Sequence, residues 1–382
     1  MEGKRVMKRR TKLNVAVCCV LLAVVSSFAA GQRYEIGIPD IAGYKTLKCD
    51  FHMHTVFSDG AVWPTVRVDE AWRDGLDAIA ITDHIEYQPH KNDIPTNYKR
   101  SYEIARGKAR DRNILLVKAA EITRDTPPGH YNALFLDTID ALDTKGQSKA
   151  EGQAAKDEEF LLAIKAANEQ KAFVFWDHPN WQARNGGRVW FDIHTRLFKE
   201  KLVHGIEVVN DGTFYTDSFK WCLERNLPIF GNSDVHGPLD PPTVNHENHR
   251  TMTLVFAREK TLEALRDAIV NGRTAVWFED KLIGRKEYLE EIFAASVEVK
   301  EAHSKYRNNA YFEVHNKSEI TYQLQKISGG GPSTVVLPAQ RTVVLRAPIS
   351  EEGAVDIAYK VTNLLIGPAE CLKFETTIDI GG

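Results

Sequence analysis

Short, continuously apolar runs recur along the first three quarters of the chain. Between them lie longer stretches whose apolar positions repeat every three or four residues. The runs predict strands at Leu47–Phe51, Asp77–Thr82, Ile114–Ala119, Tyr131–Leu136, Ala172–Trp176, Gly205–Val209, Pro228–Gly231 and Thr274–Phe278. The longer stretches predict helices over Thr65–Arg73, Tyr98–Arg110, Asp157–Gln170 and Asp217–Arg225, and a charged helix-like stretch around Lys281–Ile292. Strands that are apolar throughout suit a parallel sheet covered on both faces. Repeated β-then-α order predicts an α/β barrel, with its chemistry at the C-terminal ends of the strands.

The pattern changes near the C-terminus. Residues 295–382 lose helical periodicity and show short β-rich runs: Ser296–Lys300, Ala310–His315, Thr321–Lys326, Ser333–Leu337, Thr342–Arg346, Val355–Val361 and Leu372–Ile378. Turn signals such as Ser328-Gly329-Gly330-Gly331-Pro332 separate them. This predicts a small immunoglobulin-like β-sandwich. The expected organisation is residues 1–31 as a leader, 32–285 as the barrel and 295–382 as the sandwich.

The leader reads as a secretory signal peptide. Lys4, Arg5, Lys8, Arg9, Arg10 and Lys12 precede an apolar run from Leu13 to Phe28, and Ala29-Ala30-Gly31 follows. The run is shorter than the roughly 20 residues a spanning helix needs. The expectation is therefore a periplasmic or secreted protein with no membrane anchor after cleavage. Residues 1–31 hold six basic residues and one acidic residue, so their removal takes the formal charge from -3 to -8. No basic block remains, which excludes a nucleic-acid electrostatic footprint. Apolar and charged fractions of 43% and 26% are those of an ordinary globular protein. Cys49, Cys222 and Cys371 are too few and too scattered for a disulfide framework and read as buried small residues. Nothing in the sequence sets an oligomeric state.

Polar residues cluster where the strands end. The first strand runs into His52-Met53-His54, and i, i+2 residues of an extended chain face one side. Two neutral imidazoles there can hold one ion, with Asp59 as an oxygen ligand from the next loop. The second strand ends in Asp83-His84 and the third in Glu121, with His130 just before the fourth. The fifth ends in Asp177-His178, and the seventh in Asp234-Val235-His236, a second i, i+2 pair.

The stretch His52-Met53-His54-Thr55-Val56-Phe57-Ser58-Asp59-Gly60, together with this order of later clusters, resembles the PHP (polymerase and histidinol phosphatase) family of metal-dependent phosphoesterases. The resemblance covers residues 46–280. It implies a distorted (βα)7 TIM-like barrel that holds two to three divalent ions, Zn, Mn or Fe. It implies one ion on His52, His54, Glu121 and Asp234, and a second on Glu121, His130 and His178, with Glu121 bridging. A third falls to Asp59, His84 and His236. Imidazole with carboxylate suits these metals, and the lack of thiolates argues against a structural zinc. The expected reaction is in-line attack on phosphorus by a hydroxide held between ions at His52, His54, Glu121 and Asp234.

Substrate contacts are expected from loops after strands: Trp181, Arg184 and Arg188, with Arg124 and Asn210. Arginine binds phosphate bidentately, and tryptophan can wall an organic group. His246 or His249 is a candidate proton donor to the leaving group, whereas His194, His204, His303 and His315 read as structural. Leader, length and sandwich look most like secreted PHP phosphodiesterases acting on small organic diesters. A histidinol-phosphatase-type monoesterase, an amidohydrolase and a non-catalytic binding protein with a vestigial barrel are the alternatives.

Overall fold

The computed structural model of the chain describes residues 32–179, 189–239, 248–351 and 353–380. The expected leader therefore lies outside the described residues. Strands β1 (Lys45–Asp50), β2 (Ala78–Ile81), β3 (Leu115–Ile122), β4 (Tyr131–Leu134), β5 (Phe173–Trp176), β6 (Gly205–Asn210), β7 (Thr213–Phe214) and β8 (Ile229–Asn232) build the barrel wall. Helices α1 (Pro64–Arg73), α2 (Arg100–Asp111), α3 (Gly152–Glu169), α4 (Asp192–Lys199) and α5 (Thr216–Arg225) lie between them. The β1, β2 and β3 strands run parallel, with Cys49 opposite Ala78 and Ala78 opposite Leu115. So do β5, β6 and β8.

Two features depart from a uniform parallel barrel. The β4 strand pairs antiparallel with both β3 and β5. The connection 123–130 is too short for the crossover that a parallel neighbour requires, so the chain turns straight back. The run Met252–Ala257, absent from the expected strands, forms the buried strand β9, antiparallel to β1. Strands β10 (Thr274–Phe278) and β11 (Lys281–Gly284) continue the sheet as antiparallel neighbours, with α6 (Leu262–Val270) before them and α7 (Lys286–Ser296) after. Thus the stretch expected as helix from Lys281 begins as strand.

The barrel closes where the chain beyond β1 meets the chain beyond β8. Met53 and Val235 form a parallel bridge. The amide of Asp234 donates to the His52 carbonyl at 2.9 Å, and that of His54 to the Val235 carbonyl at 3.0 Å. Both histidine pairs are thus locked to each other by backbone. Below them the interior is filled by aromatic rings. Phe175 stacks on Phe230 at 4.5 Å and Phe51 meets Phe230 edge-on at 6.1 Å, all fully buried. Each such ring contributes about 1.5–3 kcal/mol by leaving water.

The C-terminal strands are β12 (Val297–Tyr306), β13 (Asn309–Asn316), β14 (Tyr322–Gly329), β15 (Thr334–Leu337), β16 (Thr342–Pro348), β17 (Ala354–Gly367) and β18 (Glu370–Asp379). One sheet orders β12, β13 and β16; the other orders β15, β14, β17 and β18. Alternation drives the packing: Ala310, Phe312 and Val314 face inward while Glu313 faces out. The sandwich is fused to the barrel, because β17 pairs parallel with β11 through Leu282–Leu364 and Ile283–Leu365. One apolar core runs across the join, from Trp277 and Phe293 to Tyr322 and Leu372. Among the described residues no helix is long and apolar enough to cross a membrane.

Candidate metal centre

His52 and His54 leave β1 fully buried at the mouth of the barrel. The residues around them explain the rest of that stretch. The Asp83 carboxylate accepts from the Thr55 amide, the Thr55 hydroxyl and the Ser58 hydroxyl, each at 2.7 Å. This folds the loop back so that Asp59 reaches the histidines. Gly60 sits against that backbone: a Cβ there would lie 2.5 Å from the His54 carbonyl carbon. Only glycine permits the approach.

The nine expected ligands meet at the mouth. His52 Nε2 lies 3.0 Å from Glu121 Oε2 and 3.2 Å from Asp234 Oδ1. His54 Nε2 lies 3.3 Å and 3.0 Å from the same two atoms. Glu121 Oε1 faces His130 Nδ1 at 2.6 Å and His84 Nδ1 at 3.3 Å. Asp59 Oδ2 faces His84 Nε2 at 3.4 Å and His236 Nε2 at 3.3 Å. His178 Nε2 is 3.9 Å from Asp234 Oδ2, and its ring lies 4.8 Å from that of His130. The ligand atoms fall into groups within 4.8 Å of one another: His52, His54 and Asp234; His52, Glu121 and His178; His84, Glu121 and His130; and His54, Asp59, His84 and His236. Glu121 belongs to two of these groups, so its carboxylate lies between neighbouring positions. The second grouping implied by the resemblance is divided, because His178 gathers with His52 and His130 with His84.

The arrangement fits divalent ions. His54 Nε2, Asp59 Oδ1 and Asp234 Oδ1 are buried, yet none makes a hydrogen bond. A buried polar atom left unsatisfied costs about 1–3 kcal/mol, and here several point at one another. Electrostatics says the same. Burial works against charge on His52, but the carboxylates of Asp234, Glu207 and Asp177 outweigh it and push its pKa well up. His84 is raised well up in the same way, against burial, by Glu121 and Asp59. Burial also opposes charge on Glu121 and Asp234, yet His84 and His130 hold the first, and His52 and His54 the second, well below the carboxylate range. Carboxylates and imidazoles gathered in this way favour positive charge between them, which divalent cations would supply. Only His178 goes the other way, pushed down to about 4 by burial.

Three partners fix which nitrogen faces inward. His52 Nδ1 meets Glu207 Oε1 at 3.3 Å, His84 Nδ1 meets the Thr123 hydroxyl at 2.6 Å, and His236 Nδ1 donates to the Asp234 carbonyl at 2.7 Å. For His52 and His236 this leaves Nε2 aimed at the cluster, whereas His84 faces Asp59 through Nε2 and Glu121 through Nδ1. Glu207, which the sequence reading missed, does more. It also accepts from the His178 amide, Asn210 Nδ2 and Asn232 Nδ2, each at 2.9 Å. Its signal in sequence was only a lone acid inside an apolar strand. Asp177, fully buried beside it, has its pKa pushed well up by burial. His178 and Asp234 also take left-handed backbone, with φ of 25° and 49°, as residues held at functional sites do.

The expected substrate contacts divide. Trp181, Arg184, Arg188 and His246 lie outside the described residues. Arg124 borders the cavity beside the cluster, but Nη1 is held by Glu86 at 2.5 Å. Asn210 is buried, and its amide is occupied by Glu207 and by Asp234 Oδ2 at 3.2 Å, so it braces a ligand instead of facing substrate. His249 has its ring nitrogens on the carbonyls of Arg250 and Glu279 at 2.8 and 2.9 Å. His194 and His204 are structural: the first lies on Trp176 at 4.1 Å, and the second accepts the Val174 amide. Cys49 and Cys222 are buried and Cys371 half-buried, all as free thiols.

Fold and site together define a metal-dependent hydrolase of the α/β-barrel kind. A solved two-domain protein from Bacteroides vulgatus ATCC 8482, described as containing a predicted PHP-like metal-dependent phosphoesterase, is 38% identical. The match covers 92% of this chain and 100% of that one, at a TM-score of 0.83. The chain belongs to the PHP-like metal-dependent phosphoesterases. Residues 297–377 match the family DUF5001, an Ig-like domain. A protein from Bifidobacterium adolescentis ATCC 15703, described as a putative metal-dependent phosphoesterase, is 18% identical, over 59% of this chain and 96% of that one, at a TM-score of 0.38. An amidohydrolase from Chromobacterium violaceum is 16% identical, over 51% and 92%, at 0.37. At those values neither likeness bears on function. No curated protein matches the chain.

Proposed function

We propose that this phosphoesterase hydrolyses a small organic phosphodiester outside the cytoplasm, with two to three divalent ions held by His52, His54, Asp59, His84, Glu121, His130, His178, Asp234 and His236. The observation that carries the reading is the convergence of those nine side chains on one open mouth. Bound there, the ions supply Lewis-acid polarisation of phosphoryl oxygen and a water acidified toward neutrality. Glu121, shared by two of the ligand groups, would link neighbouring positions, and Asn210 keeps Asp234 turned inward. Overall, a water oxygen bonds to phosphorus and one ester P–O bond breaks. The alcohol departs with a proton, leaving a phosphomonoester.

The N-terminal export pattern and the C-terminal sandwich, which resemble those of secreted phosphodiesterases, support a diester over a monoester. Export rests on the N-terminal pattern of basic head, apolar run and small residues.

The test is turnover of bis(p-nitrophenyl) phosphate and p-nitrophenyl phosphate by protein loaded with Mn²⁺ or Zn²⁺. Faster diester turnover is expected. A preference for the monoester would replace this reading with the monoesterase. Less than one bound ion per chain would favour the non-catalytic alternative. N-terminal mass of protein recovered from the periplasm tests export.

A further inference from the structure

Two cavities border the metal centre. The first, of about 970 Å³, contains most of the ligand side chains and runs outward past Tyr87, Tyr98, Arg124 and Lys156. The second, of about 630 Å³, lies on the other side of the loop after β8, bordered by Arg73, Asp211, Gly212, Phe278 and Glu279. Asp234 and His236 line both. Each is within the roughly 300–1,000 Å³ range of a small-molecule site.

We infer that the substrate is a phosphodiester with an organic group on each ester oxygen, one group in each cavity, and its phosphorus at the Asp234–His236 seam. This rests on the diesterase reading and extends it. A monoester, or a diester with one methyl arm, would leave a whole cavity without a role. The linings also set the character of the arms. In the first cavity Lys91, Arg124 and Lys156 stand among Glu86, Asp125 and Asp157. In the second, Arg250 is already committed to Asp74 at 2.5 Å and Asp50 at 3.2 Å. Both linings mix polar groups with apolar ones such as Ile85 and Pro128 in the first and Phe278 in the second, and neither presents the excess cation a second phosphate needs. Neutral, hydroxyl-bearing groups fit both. Tyr87, 52% exposed and edge-on to His84 at 5.9 Å, offers a flat wall for a ring in the first.

Gly212 gives the test. It borders the second cavity, and a Cβ added there meets nothing within 4 Å. Full-length, metal-loaded wild type and Gly212→Trp are compared on bis(p-nitrophenyl) phosphate and methyl p-nitrophenyl phosphate. Filling the second cavity is expected to lower kcat/KM for the two-armed ester about tenfold or more. The methyl ester, whose small arm still fits, should stay within about threefold. Gly212→Leu repeats the measurement with a smaller side chain if the tryptophan variant is insoluble. An unchanged ratio between the two esters, with wild type active on both, overturns the two-cavity assignment and leaves the diesterase reading intact. Wild type inactive on both esters but active on p-nitrophenyl phosphate overturns both.

Discussion

The Arg67 guanidinium donates from Nε to the backbone carbonyl of His54 at 2.8 Å. Its Nη1 and Nη2 reach the carbonyls of Gly237 and His236 at 2.8 Å and of Val235 at 3.1 Å, while Glu70 neutralises it at 2.7 Å. One fully buried arginine thus ties the loop of the first histidine pair to the loop of the second, across the seam where the barrel closes. Arg67→Ala leaves four carbonyls and a buried Glu70 without their donor. A loss of about 3–5 kcal/mol is expected, read from urea unfolding. Arg67→Lys should recover only part, since an ammonium cannot span four carbonyls with a planar fork. Equal stability of Arg67→Lys and wild type would show that the seam does not depend on it.

Glu207 is not among the nine expected ligands, yet it orients His52, anchors the His178 amide and gathers with His52 and Asp177 in a further buried group of ligand type. Glu207→Gln should weaken metal binding about 10–100-fold, measured by competition with a chelator. Glu207→Asp, which keeps the charge but shortens the reach, should lie between. Unaltered affinity in both variants would leave Glu207 a purely structural residue.

His52 joins His54 and Asp234 in one ligand group and Glu121 and His178 in another, so its loss should disturb both. His52→Ala is expected to lose at least one ion per chain by elemental analysis and to lower turnover by about 10³-fold or more. A variant with full metal content and an unchanged rate would argue against the assignment.

Gly60→Ala tests the close approach beside the cluster. The added methyl meets backbone, which cannot swing away as a side chain can. The His54 carbonyl must move, and Arg67 with it. A destabilisation of about 1–3 kcal/mol with reduced metal content is expected. Gly212→Ala, open on all sides, is the control that should change neither.

Acid sensitivity should come partly from His204, far from the metals. Its Nδ1 accepts the Val174 amide at 3.0 Å, so the folded protein holds the ring neutral, and burial lowers its pKa. A lowered folded pKa means that the unfolded chain takes up the proton first. The contribution is therefore present above the unfolded pKa of about 6.5 and is lost as pH falls below it. His204→Asn offers an oxygen acceptor that does not titrate in this range. Wild type should lose Tm relative to His204→Asn between pH 7.5 and 5, and parallel Tm profiles would refute the linkage.

By itself the sequence indicated the barrel, the sandwich and the nine candidate ligands. Period-2 and apolar-run patterns, and imidazoles and carboxylates at strand ends, are local properties of the chain. Even Thr55, Ser58 and Gly60 were visible as a motif, though not their purpose. Tertiary structure decided what those letters do: Asp83 binds the first two, and the His54 backbone crowds the third. It alone showed β4 reversed, His178 and His130 drawn to different groups, and Asn210 turned from substrate to Asp234. It also singled out Arg67 and Glu207, which in sequence are one charge on an amphipathic helix and one acid in a strand. Their roles come from partners far along the chain, such as Val235 for Arg67 and His52 for Glu207, and no local pattern records a contact made only when the barrel closes.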